Sequence, residues 1–341
     1  MADRTPIVAP GQDKGGSADR LALFQTVFSG MVLDAYMKKT VLDGWTYTRA
    51  VAGKKAESFP LVGEVTAGYH ANAGAEVVAQ DVEHNERIVN LDRPLVAAVR
   101  IDDWEDLVNH FELYGRYASK LGNAIAALSD KHKMYQIASA AIGELKGGTA
   151  IANIPDGLHA SGSTVLAEAL ADAKTATNAG DRANALAYSF MDMEQAMALK
   201  DVDVATAKLA IVKPTDYFAM HQGALDKTCP WLNLDYKGSN TYGEYARLMV
   251  GNTEIKMSNE WDAIANVNQT STGAFTKYFG DLTKVEALVT TPEAVASLSG
   301  MNLQMEKGRD YMHQNDMLIA RKAEGHESFR PECAGIITSV A

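Results

Sequence analysis

The stretch GHESFRPECAGIIT, residues 325–338, brings together side chains that could bind a metal ion or act as a nucleophile. Its His326-Glu327 pair matches the first half of the HExxH zinc motif, in which two histidines one helical turn apart hold the metal. Arg330 occupies the position of the second histidine, and its positive charge would repel a metal ion. Pro331 would also break the helix that the motif requires. The spacing therefore predicts no metal site here.

A nucleophilic Cys333 would need His326 beside it in the fold, and a small buried cysteine is the simpler interpretation. We interpret the stretch as a corner held by charge before a last strand. Gly325 permits a turn, Arg330 can donate to a carboxylate through two nitrogens, and Pro331 fixes the backbone. In this interpretation the residues position the chain and do no catalysis.

Other chemical motifs are incomplete or missing. His84-Asn85-Glu86 begins a deaminase signature, but the PCxxC element that should follow does not occur. The phosphate-binding loop, the dinucleotide-binding glycines and the nucleophile elbow are all missing from the sequence. We therefore predict no catalytic residue, no cofactor and no metal, and we expect a protein that is not an enzyme.

The composition, net charge and cysteine count limit the classes of protein to which the chain can belong. The chain has 341 residues, 47% of them hydrophobic and 22% charged, which is ordinary for a folded protein. Its formal net charge of -11 repels nucleic acid and anionic membranes. Two distant cysteines, Cys229 and Cys333, indicate a reducing compartment and no disulfide framework. Without a signal sequence or an apolar run of roughly 18 residues, we expect synthesis in the cytoplasm and no membrane partner.

The first hundred residues predict elements that extend from a body. Residues 1–18 are interpreted as a mobile arm, and the apolar spacing after Leu21 predicts an amphipathic helix. That helix could pack in its own core or dock on another chain. The runs 58–69 and 86–101 predict strands of a hairpin, and Pro94 places the second run at a sheet edge. Such a hairpin cannot bury its own faces and needs a surface to lie on.

The longest helical pattern runs from Asp102-Asp103 to near Ile142, roughly 60 Å at 1.5 Å per residue. A coiled coil is the alternative, but charge pairs flanking the apolar stripe are rare, so we favour a spine helix with a sheet against one face. Together with the strands, this helix indicates an α+β protein. The elements predicted beyond it are a Gly-rich boundary at 143–162, an Ala-rich helical stretch at 164–200, a buried strand in AKLAIVKP, a short helix from Thr215, a hairpin turning at Gly251-Asn252, a loop at 262–284, a helix start at Thr291-Pro292-Glu293, and strands within 301–320 and 335–340.

This order of elements resembles the major capsid proteins of tailed bacteriophages with the Hong Kong 97-like shell fold. Among these proteins, the sequence most resembles those of T-seven-like short-tailed podoviruses of the Autographiviridae type. Residues 19–36 resemble the N-terminal arm of that family, and 53–69 resemble the start of its extended loop. Residues 325–338 resemble its C-terminal motif through Gly325, His326, Arg330, Pro331, Glu332, Ala334 and Gly335.

The resemblance implies a division into an N-terminal arm (1–48), an extended β-hairpin loop (49–101), a peripheral domain with the spine helix (102–150 and 285–341) and an axial domain (151–284). It also implies self-assembly into hexamers and pentamers of an icosahedral head around double-stranded DNA, without sequence-specific contact. The other implied partners are a scaffolding protein, a portal protein and, as a further candidate, a decoration protein. The place of action would be the virion.

The residues expected at subunit interfaces are Phe24, Phe28, Tyr69, His70, Asn72, Glu76, Arg330 and Glu332. Some relatives crosslink a lysine near the loop tip to a neighbouring subunit. The tip here, residues 69–85, contains no lysine, and Lys54 and Lys55 lie at the hairpin base, so we predict non-covalent assembly. Two alternatives remain at this stage. One is an encapsulin-like compartment of the same fold, and the other is an α+β hydrolase using His326, Glu332 and Cys333.

Overall fold

The computed structural model describes residues 31–37, 39–62, 67–69, 79, 81–82, 84–103, 113–142, 179–225, 233–234, 248–261, 278 and 285–338. These residues form mixed helices and strands, which confirms the predicted α+β class. The chain divides into two compact units. The first contains Met1–Thr40, Asp92–Asp130 and Ser299–Glu324, and the second contains Val41–Leu91, Lys131–Leu298 and Gly325–Ala341.

The described helices and strands are as follows. The helices are α1 (Leu113–Ile142), α2 (Ala179–Ala198), α3 (Pro214–Leu225) and a 3-10 turn at Pro331–Cys333. The strands are β1 (Tyr47–Ala50), β2 (Ala56–Val62), β3 (His84–Asn90), β4 (Leu95–Asp102), β5 (Lys208–Val212), β6 (Asn233–Leu234), β7 (Leu248–Val250), β8 (Thr253–Met257), β9 (Val285–Thr290), β10 (Val295–Asp310), β11 (Asn315–Ser328) and β12 (Ala334–Thr338).

One sheet has four strands in the order β1-β10-β11-β4, and β4 pairs antiparallel with β11 from Asn315 opposite Asp102 to Lys322 opposite Leu95. The sequence predicts a single strand over 86–101, and this is wrong. The run breaks at residues 91–94 into β3 and β4, which belong to different sheets. Pro94 lies in the break because a residue without an N–H cannot continue a ladder. The predicted edge position holds for β4.

Helix α1 packs one face on this sheet in the first unit. Its buried side chains share a core with strand residues of β4 and β11. The members of that core on α1 are Ala118, Leu121, Ile125 and Ala126, and those on the strands are Ile101, Leu318 and Ala320. The spine helix with a sheet on one face is therefore confirmed over a coiled coil, and the predicted end near Ile142 adjoins residues outside the described part. The start predicted at Asp102-Asp103 runs into residues outside the described part.

The helical residues 31–37 pack on their own chain. Val32, Ala35 and Tyr36 are buried, and Gly122 of α1 admits the close approach. A Cβ at Gly122 would lie 2.4 Å from the main-chain oxygen of Val32. Lys322 also donates a hydrogen bond to the Tyr36 hydroxyl. For this part of the amphipathic helix, packing in its own core is the correct alternative, whereas Phe24 and Phe28 lie outside the described residues.

The second unit contains a six-stranded sheet in the order β12-β9-β5-β8-β7-β6. Strands β5 and β9 are buried along their whole length, as the run AKLAIVKP predicts for β5. Helices α2 and α3, which were also predicted, pack against each other in this unit. The core that joins sheet and helices is formed mainly by aliphatic and methionine side chains.

The predicted turn at Gly251-Asn252 is confirmed between β7 and β8. Gly251 has a φ of +59°, a backbone conformation that favours glycine. Glu194 of α2 accepts hydrogen bonds from the main-chain N–H of Asn252 (2.9 Å) and the hydroxyl of Thr253 (2.7 Å). The helix therefore fixes the turn.

The helix start predicted at Thr291-Pro292-Glu293 is wrong. The main-chain N–H of Ala294 donates to the oxygen of Thr291 at 3.1 Å, which closes a single turn, and β10 begins at Val295. A turn of this kind and the first turn of a helix accept the same residues, with proline second, because their backbone angles are similar. The four buried residues that open β10 decide the outcome, since they are covered on both faces of a strand.

We expect Gly122→Ala to lower the free energy of unfolding by about 1–3 kcal/mol, because the added methyl group meets backbone that cannot move aside. The position is otherwise an ordinary helical one, where alanine is favoured over glycine by about 1 kcal/mol. Urea unfolding of the purified chain measures the difference. The matched control is Gly308→Ala, whose Cβ would have no atom within 4 Å. A Gly122→Ala variant more stable than the parent would contradict the packing described for residues 31–37.

Candidate functional site: the extended hairpin and the C-terminal corner

Strands β2 and β3 form a two-stranded antiparallel hairpin, with Phe59 opposite Arg87 and Val62 opposite His84. Because side chains alternate along a strand, the hairpin has two distinct faces. Phe59 and Val89 lie on one face and are fully buried. Val62 and Ile88 lie on the other face and are 60% and 53% exposed. The hairpin thus presents apolar side chains on both faces.

The predicted hairpin is confirmed for Ala56–Val62 and His84–Asn90, whereas residues 67–69 of the first predicted run are not in a strand. The surface that the hairpin needs is supplied on one face by its own chain. Phe59 and Val89 share a core with Ala296 and Leu298 of β10, so the chain itself covers that face. At the tip, Tyr69 is fully exposed. The other tip candidates, His70, Asn72 and Glu76, lie outside the described residues.

The C-terminal corner is held by charge, as the sequence indicates. Arg330 donates from Nε to Glu332 Oε1 at 2.6 Å and from its terminal nitrogen to Glu293. Burial alone would lower the pKa of Arg330, but its hydrogen bonds to the two carboxylates raise it. Glu332 is almost completely buried, so it depends on this cation.

The corner is continuous with the six-stranded sheet. The main-chain N–H of Thr291 donates to the oxygen of Cys333 at 3.1 Å, and β12 follows directly and pairs with β9. A Cβ at Gly335 would lie 2.4 Å from the sulfur of Met193, so the glycine lets β12 pack closely on α2. The motif thus connects β11 of the four-stranded sheet with β12 of the six-stranded sheet.

His326 and Cys333 are structural residues in this arrangement. His326 is buried, with Nδ1 2.8 Å from the hydroxyl of Ser297, and its main-chain N–H donates to Tyr278 at 3.0 Å. Burial raises the pKa of the Cys333 thiol to about 11, although a hydrogen bond with Thr291 opposes the rise. A thiol with this pKa is protonated at neutral pH and is a poor nucleophile. Within the described residues, no group of histidine, cysteine or carboxylate side chains has the arrangement of a metal site.

Sequence reasoning missed a second exposed apolar feature, the turn between β10 and β11. Tyr311 and Met312 are 82% and 89% exposed. Asp310 bridges the turn, because it accepts from the main-chain N–H of Met312 at 3.0 Å and lies 2.6 Å from the His313 ring. The hydrogen bond from His313 lowers the pKa of Asp310. The available signal was an apolar Tyr-Met pair inside the otherwise polar turn DYMHQN.

The hairpin, the long helix and the returning strands correspond to a family known from other proteins. The sequence model of the Gp10A-like family, described as major capsid protein, matches residues 58–338. The chain belongs to this family. It is therefore a major capsid protein of a phage, a structural component of the virion, which confirms the resemblance drawn from the motifs.

Individual relatives agree with the family. The major capsid protein of Enterobacteria phage T3 is 27% identical over 97% of this chain and 95% of the relative. The major capsid protein of Escherichia phage T7 is 25% identical over 96% of this chain and 95% of the relative. The capsid structure of cyanophage P-SCSP1u superposes with a TM-score of 0.65, at 23% identity over 88% of each chain.

The capsid family also decides between the alternatives drawn from the sequence. The structural similarity is to phage capsids of the Hong Kong 97-like fold, and the family is a structural one, so neither the encapsulin-like compartment nor the hydrolase is favoured. No helix among the described residues is long and apolar enough to span a membrane.

We expect Arg330→Ala to lower the free energy of unfolding by about 2 kcal/mol, because it leaves the buried Glu332 carboxylate without its cation. Arg321→Ala is the matched control, since Arg321 pairs with Glu306 and both side chains are substantially exposed. An exposed pair of this kind contributes about 1 kcal/mol or less. Urea unfolding of both variants measures the difference. Equal losses for the two arginines would contradict the role given to the corner.

Proposed function

We propose that this capsid protein assembles into hexamers and pentamers that tile an icosahedral shell around double-stranded DNA. The family to which the chain belongs supports this arrangement, which needs surfaces that other copies cover. In this proposal the chain has four parts: an arm at 1–48, an extended loop at 49–101, a peripheral domain at 102–150 and 285–341, and an axial domain at 151–284. The protein acts by assembly and catalyses no reaction.

The exposed face of the hairpin is the observation that supports this function best. Val62 and Ile88 place large aliphatic side chains in water on a narrow two-stranded ribbon whose other face is already covered by its own chain. Each exposed aliphatic side chain that becomes fully buried contributes about 1.5–3 kcal/mol. Repetition of one contact in every subunit of a closed shell makes a modest interface sufficient, because later contacts form within an assembly.

The proposed interface includes the candidates named from the sequence. Tyr69 at the tip is exposed and available for a neighbouring subunit, and we propose the same role for His70, Asn72 and Glu76. We retain Phe24 and Phe28 of the arm as contacts to an adjacent subunit. Arg330 and Glu332 are paired within one chain, so we propose that they support assembly by holding the corner.

The charge of the chain suits a container for DNA. A formal net charge of -11 gives a surface that does not hold DNA by attraction, which allows the genome to leave. The DNA would therefore be enclosed without sequence-specific contact. The further partners that we propose are a scaffolding protein, a portal protein and a decoration protein. We also propose that the chain is synthesised in the cytoplasm of the host bacterium.

We expect the shell to be held by non-covalent contacts alone. Residues 69–85 of the hairpin tip contain no lysine that could react with a neighbouring side chain. Purified particles, boiled in detergent with a reducing agent, should run as a single band at the mass of one chain. A ladder of multimers under these conditions would refute non-covalent assembly and leave the capsid function untouched.

We expect Ile88→Asp to reduce the particle yield at least roughly tenfold, because a buried charge in each interface costs several kcal/mol. The unfolding of the isolated subunit should change little, since Ile88 is exposed there. Sedimentation measures assembly, and Ile88→Val is the conservative control that should assemble normally. Normal particle yield from Ile88→Asp would show that this face of the hairpin lies outside the subunit interfaces.

A further inference from the structure

The root of the hairpin rests on residues 325–329, which we call the hairpin seat. These residues belong to the C-terminal motif, whose sequence indicates only a corner. The hairpin and the seat lie in the same compact unit, and three different kinds of contact join them.

The first contact is a close approach of backbone to backbone. A Cβ at Gly325 would lie 2.1 Å from the main-chain oxygen of Asn90 and 3.2 Å from the Cα of Leu91. Real Cβ atoms do not approach backbone so closely, so the distance is possible only with glycine. This contact lies where β3 leaves the hairpin. It fixes the distance between the end of β3 and the backbone of β11.

The second contact is an ion pair. Arg87 on β3 lies 3.5 Å from a carboxylate oxygen of Glu327 on β11, and the two side chains are only 14% and 22% exposed. Arg87 stands opposite Phe59, on the face that the chain covers. Partial burial reduces screening by water and salt, so this pair is stronger than one on an open surface. It resists rotation of the hairpin away from β11.

The third contact is a cluster of three aromatic rings. Phe329 stacks on Tyr47 with ring centroids 6.0 Å apart and meets Phe59 edge to face at 5.8 Å. Tyr47 and Phe59 also meet edge to face at 5.6 Å. The guanidinium of Arg49 lies 4.6 Å from the centre of the Phe59 ring, and its terminal nitrogen donates to the oxygen of Ser58. Phe59 on β2 is thus held from several directions.

Backbone hydrogen bonds tie both partners to the rest of the unit. The N–H of Phe329 donates to the oxygen of Ala294 at 2.9 Å, which fixes the seat to the turn before β10. The N–H of Leu91 donates to the oxygen of Lys55 at 2.8 Å, which closes the open end of the hairpin. The seat and the part of the hairpin that it touches are therefore both hydrogen-bonded to their surroundings.

We propose that the hairpin seat sets the direction in which the hairpin leaves its own subunit, and that Arg87, Glu327 and Phe329 are positioning residues for its exposed face. A hairpin whose direction is fixed before assembly loses less conformational entropy when a second copy covers Val62 and Ile88. The intrachain part of this inference is independent of the proposed function. Its consequence for assembly rests on that function.

The direction of the hairpin can be measured in the dissociated full-length subunit by the distance between two spin labels. One label is attached at His84→Cys on the hairpin and the other at Leu199→Cys after α2, with Cys229→Ser; both labelled positions are exposed and lie in the same unit. We expect a single narrow distance distribution for the parent. Arg87→Glu should broaden or shift it, because two carboxylates then face each other, and the added substitution Glu327→Arg should restore it.

The matched control reverses a second ion pair on the hairpin that does not reach the seat. Lys54 pairs with Glu57 on the hairpin itself, so Lys54→Glu should leave the distance distribution unchanged. A parent distribution as broad as that of Arg87→Glu, or failure of the double variant to restore the distance, would overturn the proposal. Glu327→Gln is the milder variant that decides the question if Arg87→Glu does not fold.

Gly325→Ala tests the seat without a change of charge. The methyl group must push the backbone of Asn90 away, so we expect a shifted spin-label distance in this variant, whereas Gly308→Ala should leave the distance unchanged. An unchanged distance in Gly325→Ala would also overturn the proposal.

Assembly separates this inference from the proposed function. We expect Arg87→Glu to lower the particle yield roughly tenfold, as for loss of a partly buried ion pair, and Glu327→Arg to restore it in the double variant. If the spin-label distances change as expected while the parent forms no particles, the proposed function is wrong and the role of the seat in directing the hairpin is supported. If the parent assembles and Arg87→Glu moves the hairpin without loss of particles, the seat has no role in positioning the interface.

Discussion

The hairpin of β2 and β3 has one face that its own chain must bury and one that its own chain leaves in water. Phe59 and Val89 commit the first face to the body through the core shared with β10. Alternation along the strands then forces Val62 and Ile88 outward, because neighbouring residues cannot share a face. The covered face fixes the hairpin to the subunit, and the other face is free to meet a further copy. The same alternation along the strands therefore attaches one face of the hairpin to the subunit and leaves the other face exposed.

The C-terminal motif serves both sides of this arrangement. Its first half, residues 325–329, contacts the hairpin root, and its second half carries the Arg330-Glu332 pair and leads into β12. One short segment thus connects the hairpin to the six-stranded sheet of the second unit. The combination explains why glycines, charged residues and an aromatic residue occur together there. Buried Cys333, with its raised pKa, belongs to the same packing.

Local patterns in the sequence were sufficient for elements whose residues decide their own structure. The buried strand β5, the turn at Gly251 and the corner at Arg330 are examples, since an apolar run, a glycine with positive φ and the Arg330-Glu332 pair are each local in the sequence. The wrong helix at Thr291 arose because a turn and a helix start use the same residues, and only the burial of β10 separates them. The contact of Arg87 with Glu327 joins residues far apart in the chain, so no local pattern could indicate it. The four-part domain division stays a prediction.

In the proposed shell, copies of this chain cover the exposed face of the hairpin. Hydroxyl-radical footprinting of dissociated subunits and of purified particles tests it most directly, because the method reports the exposure of individual side chains. We predict that Val62 and Ile88 are oxidised in the subunit and protected in the particle, while buried Phe59 reacts little in either. Equal oxidation of Val62 and Ile88 in subunits and particles would contradict the account.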